Sequence, residues 1–144
     1  MEGKPDTPYA AEFPARHSAL LRVQTFVEDA CARAKIVPAD HLRLMLLIEE
    51  LFVNTVSHGH GRDSDEPVRL ALTVTSASIA VEYGDTAQPY DPFAPLEIAP
   101  DREDIADRPV GGLGVRLITT MAEDVGYVRD DGWNRILFRL PRSR

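Results

Sequence analysis

The stretch Glu50-Leu51-Phe52-Val53-Asn54-Thr55-Val56-Ser57-His58 places a carboxylate, an amide and an imidazole four residues apart in an otherwise apolar segment. On a regular α-helix, residues at i, i+4 and i+8 drift only about 80° around the axis while climbing about 12 Å. One helix face would then present all three polar groups. A carboxylate can accept a proton, an amide oxygen can bind a hard cation such as Mg²⁺, and an imidazole can donate to a phosphate oxygen. The pattern indicates a nucleotide site, and by itself it also fits a solvated polar stripe.

The composition limits the classes of function. The chain has 144 residues, which suits a single domain that we assign to residues 9–144. Lys plus Arg number 16 against 23 Asp plus Glu, and the net charge of -7 opposes binding to nucleic acid. No apolar run approaches the roughly 18 residues of a membrane span. Residues 1–6 have no signal-peptide core, so we expect a cytoplasmic protein. Cys31 is the only cysteine and is expected to be a small core residue.

Hydrophobic periodicity predicts a strand and a helix at the start of the chain. Residues 1–8 are polar and contain two prolines, so we expect them to be flexible. Residues 9–15 alternate enough to form a short edge strand that ends at Pro14. Ser18 is placed to cap a first amphipathic helix, which should end near Lys35.

A second helix carries the polar series. It should begin near Pro38, a residue suited to a first turn, and stop at Gly59. Its apolar residues occur around most of the circumference, which predicts burial between the first helix and a sheet. Glu50, Asn54 and His58 would then face a cavity.

Four further β-rich runs predict two hairpins. Residues 68–75 and 79–83 flank a short Ser-Ala-Ser turn. Residues 125–129 and 135–140 flank Asp130-Asp131-Gly132, whose Asp-Gly pair is a hairpin signal. The chain should therefore contribute two pairs of antiparallel strands to the sheet.

The segment between the two hairpins is unusually long. Residues 84–110 contain five prolines and precede a helix predicted over residues 112–122. A loop of this length in a compact domain is usually a functional lid or is disordered. We expect residues 93–110 to be mobile without nucleotide and ordered by it.

Two more clusters accompany this segment. The sequence Asp85-Thr86-Ala87-Gln88-Pro89-Tyr90-Asp91-Pro92 follows directly on a strand, where loops collect ligands, and it also fits a simple turn. The sequence Gly111-Gly112-Leu113-Gly114-Val115-Arg116-Leu117-Ile118 leads into a helix, whose first amides can bind phosphate, and it also fits a flexible turn. It lacks the lysine of a P-loop and the third glycine of a dinucleotide fingerprint.

Together, the three clusters resemble the N box (residues 50–59), G1 box (85–92) and G2 box (111–118) of the GHKL ATPase superfamily. They resemble in particular the bacterial anti-sigma factor serine/threonine kinases, through Glu-x-x-x-Asn-x-x-x-His-Gly, Pro-Tyr-Asp-Pro and Arg-Pro-Val-Gly-Gly-Leu-Gly-Val-Arg-Leu-Ile, and the resemblance spans residues 9–141. It implies a Bergerat α/β (α+β) two-layer sandwich, in which about three helices cover one face of a mixed, mostly antiparallel sheet.

The resemblance also implies roles for individual residues, with ATP and Mg²⁺ as cofactors. Glu50 would be the general base, Asn54 the Mg²⁺ ligand and His58 a hydrogen-bond donor to the phosphates. Asp85 would accept a hydrogen bond from the adenine amino group. Further nucleotide contacts would come from Ala87, Tyr90, Arg108, Gly111, Gly112, Leu113 and Gly114.

Two positions depart from the pattern of the superfamily. Relatives commonly have glycine where this chain has Ala87, so a methyl group occupies a place that often abuts the purine. A threonine that many members carry on the last strand, behind the adenine, is not evident in residues 135–138. The first departure predicts a lower affinity for ATP, and the second predicts an altered adenine pocket.

The leading functional prediction is a kinase that phosphorylates an anti-sigma factor antagonist of the STAS type, binds a sigma factor and forms a homodimer. The alternative is a nucleotide-binding partner-switching module without kinase activity. The catalytic half of a histidine kinase is disfavoured because no helix pair with a phosphoacceptor histidine precedes the ATP domain. His17, His41 and His60 have simpler roles as capping or solvent-exposed residues.

Overall fold

The fold is an antiparallel sheet with helices packed on one face, in a computed structural model that describes residues 7–93 and 112–143. The predicted element order is confirmed. The helices are α1 (Leu20–Arg33), α2 (Pro38–Asn54) and α3 (Gly112–Met121), with a 3-10 helix at His17–Ala19 and a π-helix at Thr55–Gly59. The strands are β1 (Thr7–Pro14), β2 (Pro67–Val74), β3 (Ser78–Asp85), β4 (Glu123–Asp130) and β5 (Trp133–Pro141).

The five strands lie in the order β1-β2-β3-β5-β4. Both predicted hairpins are present, as β2 with β3 and β4 with β5, and every strand pair among the described residues is antiparallel. The predicted edge strand is β1. It begins at Thr7, so residues 7 and 8 belong to a strand and not to the flexible segment expected over residues 1–8. The remainder of that expectation, residues 1–6, and the lid expectation for residues 94–110 lie outside the described residues.

One face of the sheet forms the hydrophobic core with the helices. Strand β2 alternates as the sequence predicts, with Val68, Leu70, Leu72 and Val74 buried on the inner face. Helix α2 contacts both α1 and α3, and Leu44, Leu47, Ile48, Leu51 and Phe52 are buried. Leu42 and Leu46 are exposed, so the expected burial around most of the helix circumference is wrong for that face. Cys31 belongs to this core, where burial first and the Asp40 carboxylate second raise the pKa of its thiol to about 11.

The start of α1 differs from the prediction. Ser18 lies inside the 3-10 helix and makes no capping hydrogen bond, and α1 begins only at Leu20. The chain is held here by Asp63, which accepts the backbone N–H of His17 at 2.8 Å and lies 3.2 Å from its Nδ1. That backbone bond lowers the pKa of the Asp63 carboxyl. The turn is therefore fixed by a distant acidic side chain, and the predicted cap at Ser18 is wrong.

The end of α2 also differs from a regular helix. The helical stretch stops at Gly59, as predicted, but its last turn is the π-helix Thr55–Gly59, which we call the π-turn. The backbone N–H of His60 donates to the carbonyl of Thr55 at 2.8 Å, an i→i+5 bond. Single π-turns of this kind occur often at functional sites.

The carboxy-terminal residues return to the start of α2. Asp40, in the first turn of that helix, is 3% exposed and accepts hydrogen bonds from the backbone N–H of Ser143 at 2.8 Å and its hydroxyl at 2.6 Å. Arg43 also pairs with Asp40. The tail thus holds the sheet to the helical layer through one buried carboxylate. None of the helices described is both long and apolar enough to cross a membrane.

Candidate functional site

Helix α2 supplies the first two predicted site residues. Glu50 and Asn54 are half-buried and lie one α-helical turn apart, so they share a helix face. Asn54 Oδ1 is buried and has no hydrogen-bond partner among the described residues. A buried amide oxygen without a partner is costly unless water or a ligand satisfies it. Because amide oxygen is a ligand type that Mg²⁺ accepts, this atom fits the predicted metal role.

His58 lies in the π-turn and is exposed. The sequence argument placed it on the face of Glu50 and Asn54 by assuming regular α-helical spacing through residue 58. The i→i+5 bonding of this turn replaces the regular α-helical spacing there, and the place of His58 on the face of Glu50 and Asn54 stays a prediction. The neighbouring Ser57 hydroxyl lies 3.2 Å from Nε2 of His17, which joins the π-turn to the start of α1. The phosphate role of His58 stays a prediction.

Asp85 is the last residue of β3 and is 7% exposed. Its Oδ1 accepts hydrogen bonds from Nδ2 of Asn134 at 2.8 Å and from the backbone N–H of Ala87 at 3.1 Å. Its Oδ2 accepts the Thr55 hydroxyl at 2.8 Å. A carboxylate offers about four acceptor positions, so one remains for an incoming N–H donor. The predicted contact with an adenine amino group therefore fits this carboxylate.

The bond from Thr55 to Asp85 joins the N box to the G1 box. Thr55 also lies 2.6 Å from the Tyr83 hydroxyl, which is itself 3.1 Å from the carbonyl of Leu51. Burial raises the pKa of Tyr83 well above its ordinary value, and the nearby Asp85 charge adds to the rise, so the phenol stays neutral and can donate. A buried chain of hydroxyls thus connects α2 to the carboxylate at the end of β3.

The loop after β3 carries the first departure from the superfamily pattern. Ala87 is 5% exposed, and its Cβ would lie 2.8 Å from a Cβ built on Gly59. The methyl group therefore packs against the π-turn. Tyr90, by contrast, exposes 57% of its surface, and its backbone N–H donates to Asn134 Oδ1 at 3.3 Å.

The G2 box begins helix α3. Gly112, Leu113 and Gly114 occupy its first turn, as the sequence predicts, and Ile118 is fully buried and anchors the helix on the core. Arg108 and Gly111 lie outside the described residues. The phosphate contacts assigned to this box stay a prediction.

Comparison with known proteins agrees with this arrangement. The model of the histidine kinase-like ATPase domain family matches residues 13–140. The chain belongs to this family. It is 30% identical over 93 residues to the serine/threonine-protein kinase BtrW of Bordetella bronchiseptica, and the match covers 65% of this chain and 65% of BtrW. The resemblance to GHKL ATPases and anti-sigma factor kinases is confirmed by these matches.

The fold is similar to the crystal structure of the RsbU and RsbW domains of Rv1364c from Mycobacterium tuberculosis, with a TM-score of 0.67 and 15% identity. That likeness covers 96% of this chain and 33% of the other, and at this identity it concerns the fold alone. It confirms the two-layer α/β architecture for this histidine kinase-like ATPase domain.

Sequence reasoning missed four polar residues of the site in this histidine kinase-like ATPase domain. Thr55 lies between the predicted ligands Asn54 and His58, but the sequence pattern gave it no role. Asn134 is brought to Asp85 by the pairing of β3 with β5. Thr86 Oγ1 and His60 Nε2 are buried without a partner in the part of the chain described. The expectation that His60 is simply exposed is wrong, because the residue is half-buried and its Nε2 is inaccessible to solvent.

Proposed function

We propose that this chain is an ATP-dependent serine/threonine protein kinase that acts as an anti-sigma regulatory factor and phosphorylates an antagonist protein of the STAS type. The observation that carries the proposal is the 2.8 Å bond from Thr55 to Asp85. It ties the helix end that bears Glu50 and Asn54 to the carboxylate assigned to adenine. In the proposal, the nucleotide base binds at Asp85 and its phosphates lie along α2.

The three boxes divide the binding and chemical tasks of this mechanism. Asp85 accepts the adenine amino group at its remaining acceptor position. Asn54 would hold Mg²⁺, which would neutralise charge on the phosphates. The first amides of α3, at Gly112 and Gly114, face the phosphates at a positive helix end. His58 and Arg108 are the side chains that we assign to the remaining phosphate charge.

Glu50 performs the proton transfer in the proposal. A serine or threonine hydroxyl of the substrate attacks the γ-phosphorus, a new O–P bond forms, and the bond to the β,γ-bridging oxygen breaks to release ADP. The hydroxyl proton passes to the Glu50 carboxylate. The Glu50 side chain is half-buried and lies one helical turn before Asn54, which supports this assignment.

The relatives support the kinase class and bear on the partners. BtrW is named a serine/threonine-protein kinase, and the structural neighbour contains an RsbW domain. Partner switching then follows: the unphosphorylated antagonist binds this chain and releases a sigma factor, and phosphorylation reverses the choice. We place this cycle in the cytoplasm, with the kinase as a homodimer that binds neither nucleic acid nor membrane directly.

A second candidate is a partner-switching module that binds nucleotide without transferring phosphate. The observation that favours it is Ala87, whose methyl group closes the space between the G1 loop and Gly59. A loop fixed in this way has less freedom to adjust around the purine. In this case, nucleotide occupancy alone would select the partner.

The deciding experiment incubates the purified chain with γ-labelled ATP, Mg²⁺ and each STAS protein encoded near its gene. Label should appear on a serine or threonine of one STAS protein, and only when Mg²⁺ is present. A chain that binds Mg-ATP in calorimetry but labels none of these proteins would support the second candidate. A chain that binds no nucleotide would refute both.

A further inference from the structure

Among the described residues of the site, Asn134 has the side chain with the most hydrogen bonds. It has no role in the mechanism above. It is 4% exposed and stands directly opposite Asp85 in the pairing of β3 with β5. Its Nδ2 donates to Asp85 Oδ1 at 2.8 Å, and it also lies 3.0 Å from the carbonyl of Gln88 and 3.2 Å from that of Ala87. One amide therefore holds both the carboxylate and the backbone of the G1 loop.

The orientation of this amide is fixed from the other side by β4. The Tyr127 hydroxyl donates to Asn134 Oδ1 at 2.5 Å, and Nη1 of Arg129 lies 3.2 Å from the same oxygen. Arg129 also donates to the carbonyl of Ala87 at 2.8 Å. Because both neighbours on β4 are donors, the amide oxygen must face them and the NH₂ group must face Asp85.

This arrangement divides the two oxygens of Asp85 into different tasks. Oδ1 accepts two N–H donors, from Asn134 and Ala87, whereas among the residues described Oδ2 accepts only the Thr55 hydroxyl. The free acceptor position therefore belongs to Oδ2. A base that presents an amino group can use it, and a base that presents a carbonyl oxygen at the same place meets a negative oxygen instead.

We infer that Asn134 is a positioning residue that sets base specificity by holding Asp85 with one acceptor directed at the nucleotide. The inference rests on the proposed function, since it requires a nucleotide base at Asp85. Asn134 itself acts through Asp85 and through the loop carbonyls. The ligand selected in this way is an adenine nucleotide over its inosine counterpart, in which a carbonyl replaces the amino group.

The test compares dissociation constants for Mg-ATP and Mg-ITP in the wild type and in Asn134→Asp, by calorimetry. The variant keeps the shape of the side chain but places a second carboxylate beside Asp85. The titratable or charged groups that face this position are Asp85 on β3 and Tyr127 and Arg129 on β4. At about pH 8 we expect the preference for ATP to fall by about tenfold or more, because two adjacent carboxylates repel and the donor is lost.

Lower pH provides a signature that a purely structural role would not give. Near about pH 5.5, one proton shared by the two carboxyl groups restores a donor at this position, so the preference for ATP should recover in Asn134→Asp. The matched control is Gln24→Glu, which places a carboxylate beside Glu49, the acceptor of the Gln24 amide at 3.3 Å. The control should keep the preference of the wild type at both pH values.

A second variant tests the inference if Asn134→Asp does not fold. Tyr127→Phe removes one of the two β4 donors that orient the Asn134 amide. We expect it to lower the preference for ATP by about fivefold, which corresponds to the free energy of one hydrogen bond. An unchanged ATP-to-ITP ratio in the folded variants would overturn the role of Asn134 and leave the kinase proposal intact. A wild type that binds ATP and ITP equally would also overturn it, whereas a wild type that binds neither would refute the proposed function itself.

Discussion

The Cβ of Ala87 and the Cα of Gly59 share one small space between the G1 loop and the π-turn. A Cβ added to Gly59 would come within 2.8 Å of that of Ala87, a distance that real Cβ atoms essentially never show. A side chain is therefore tolerated at only one of these two positions. The alanine of the G1 box, unusual for the superfamily, is accommodated because the N box ends in glycine.

Gly59→Ala should therefore destabilise the fold by about 1–3 kcal/mol, the usual cost of overpacking. Helix propensity alone predicts the opposite sign, because alanine is favoured over glycine in a helix by about 1 kcal/mol. The double variant with Ala87→Gly should recover most of the loss, because it vacates the contested space. Urea unfolding of the single and double variants measures both effects.

Gly126→Ala is the matched control for this pair, since a Cβ on Gly126 meets nothing within 4 Å. Its unfolding free energy should stay within about 0.5 kcal/mol of the wild type. If the loss in Gly59→Ala persists unchanged in the double variant, then Ala87 is not its cause.

Glu50→Gln should reduce phosphoryl transfer to the STAS substrate by about 10²–10⁴-fold, the usual contribution of a general base, with ATP affinity nearly unchanged. The amide keeps the size of the carboxylate and loses only its capacity to take the proton. The adjacent Glu49→Gln is a matched control, because Glu49 points to Gln24 on α1. Equal rates for the two variants would remove Glu50 from the mechanism.

Local periodicity predicted the features that depend on neighbouring residues. The spacing of apolar residues placed Glu50 and Asn54 on one helix, and the alternation in residues 68–75 gave the buried face of β2. The π-turn was not predictable in this way. It coincides with the buried contacts of Thr55 with Tyr83 and Asp85, which lie 28 and 30 residues away in the sequence.

Asn134 shows the same limit for the site itself. It is 49 residues from Asp85, and the two residues meet because β3 pairs with β5 and not within a hairpin. Turn signals specify the pairs β2 with β3 and β4 with β5, and they carry no information on how the hairpins join. The sequence could therefore supply Asp85 but not the residue that holds it.

Asn54→Ala should abolish the Mg²⁺ dependence of ATP binding. The affinity of the wild type for ATP should fall when EDTA removes Mg²⁺, because the buried Oδ1 of Asn54 then has no ion to coordinate. The alanine variant should bind ATP equally weakly in both conditions. Asn54→Asp, which keeps an oxygen ligand at the same place, should retain the dependence. Calorimetry with and without Mg²⁺ distinguishes these cases, and a Mg²⁺ response preserved in Asn54→Ala would place the metal elsewhere.

The buried carboxylate of Asp40 should make the stability of the fold depend on acid. Burial opposes its ionisation, but hydrogen bonds from the hydroxyl and backbone of Ser143 and the charge of Arg43 outweigh burial and lower the pKa. The folded pKa thus lies below the unfolded value of about 3.9. The stabilisation is complete above the unfolded pKa and is lost as the pH falls through the folded pKa.

Asp40→Asn should therefore be less stable than the wild type by about 1.5–3 kcal/mol at neutral pH, the value of hydrogen bonds to a charged group. The difference should shrink below about pH 4, because the wild-type carboxylate then takes up a proton and loses the same bonds. Urea unfolding at neutral and acid pH measures the change. Asp29→Asn, on the exposed surface of α1, is the control and should match the wild type at both pH values. A difference between Asp40→Asn and the wild type that does not vary with pH would show that the NH₂ group introduced by the substitution, and not the loss of charge, destabilises the variant.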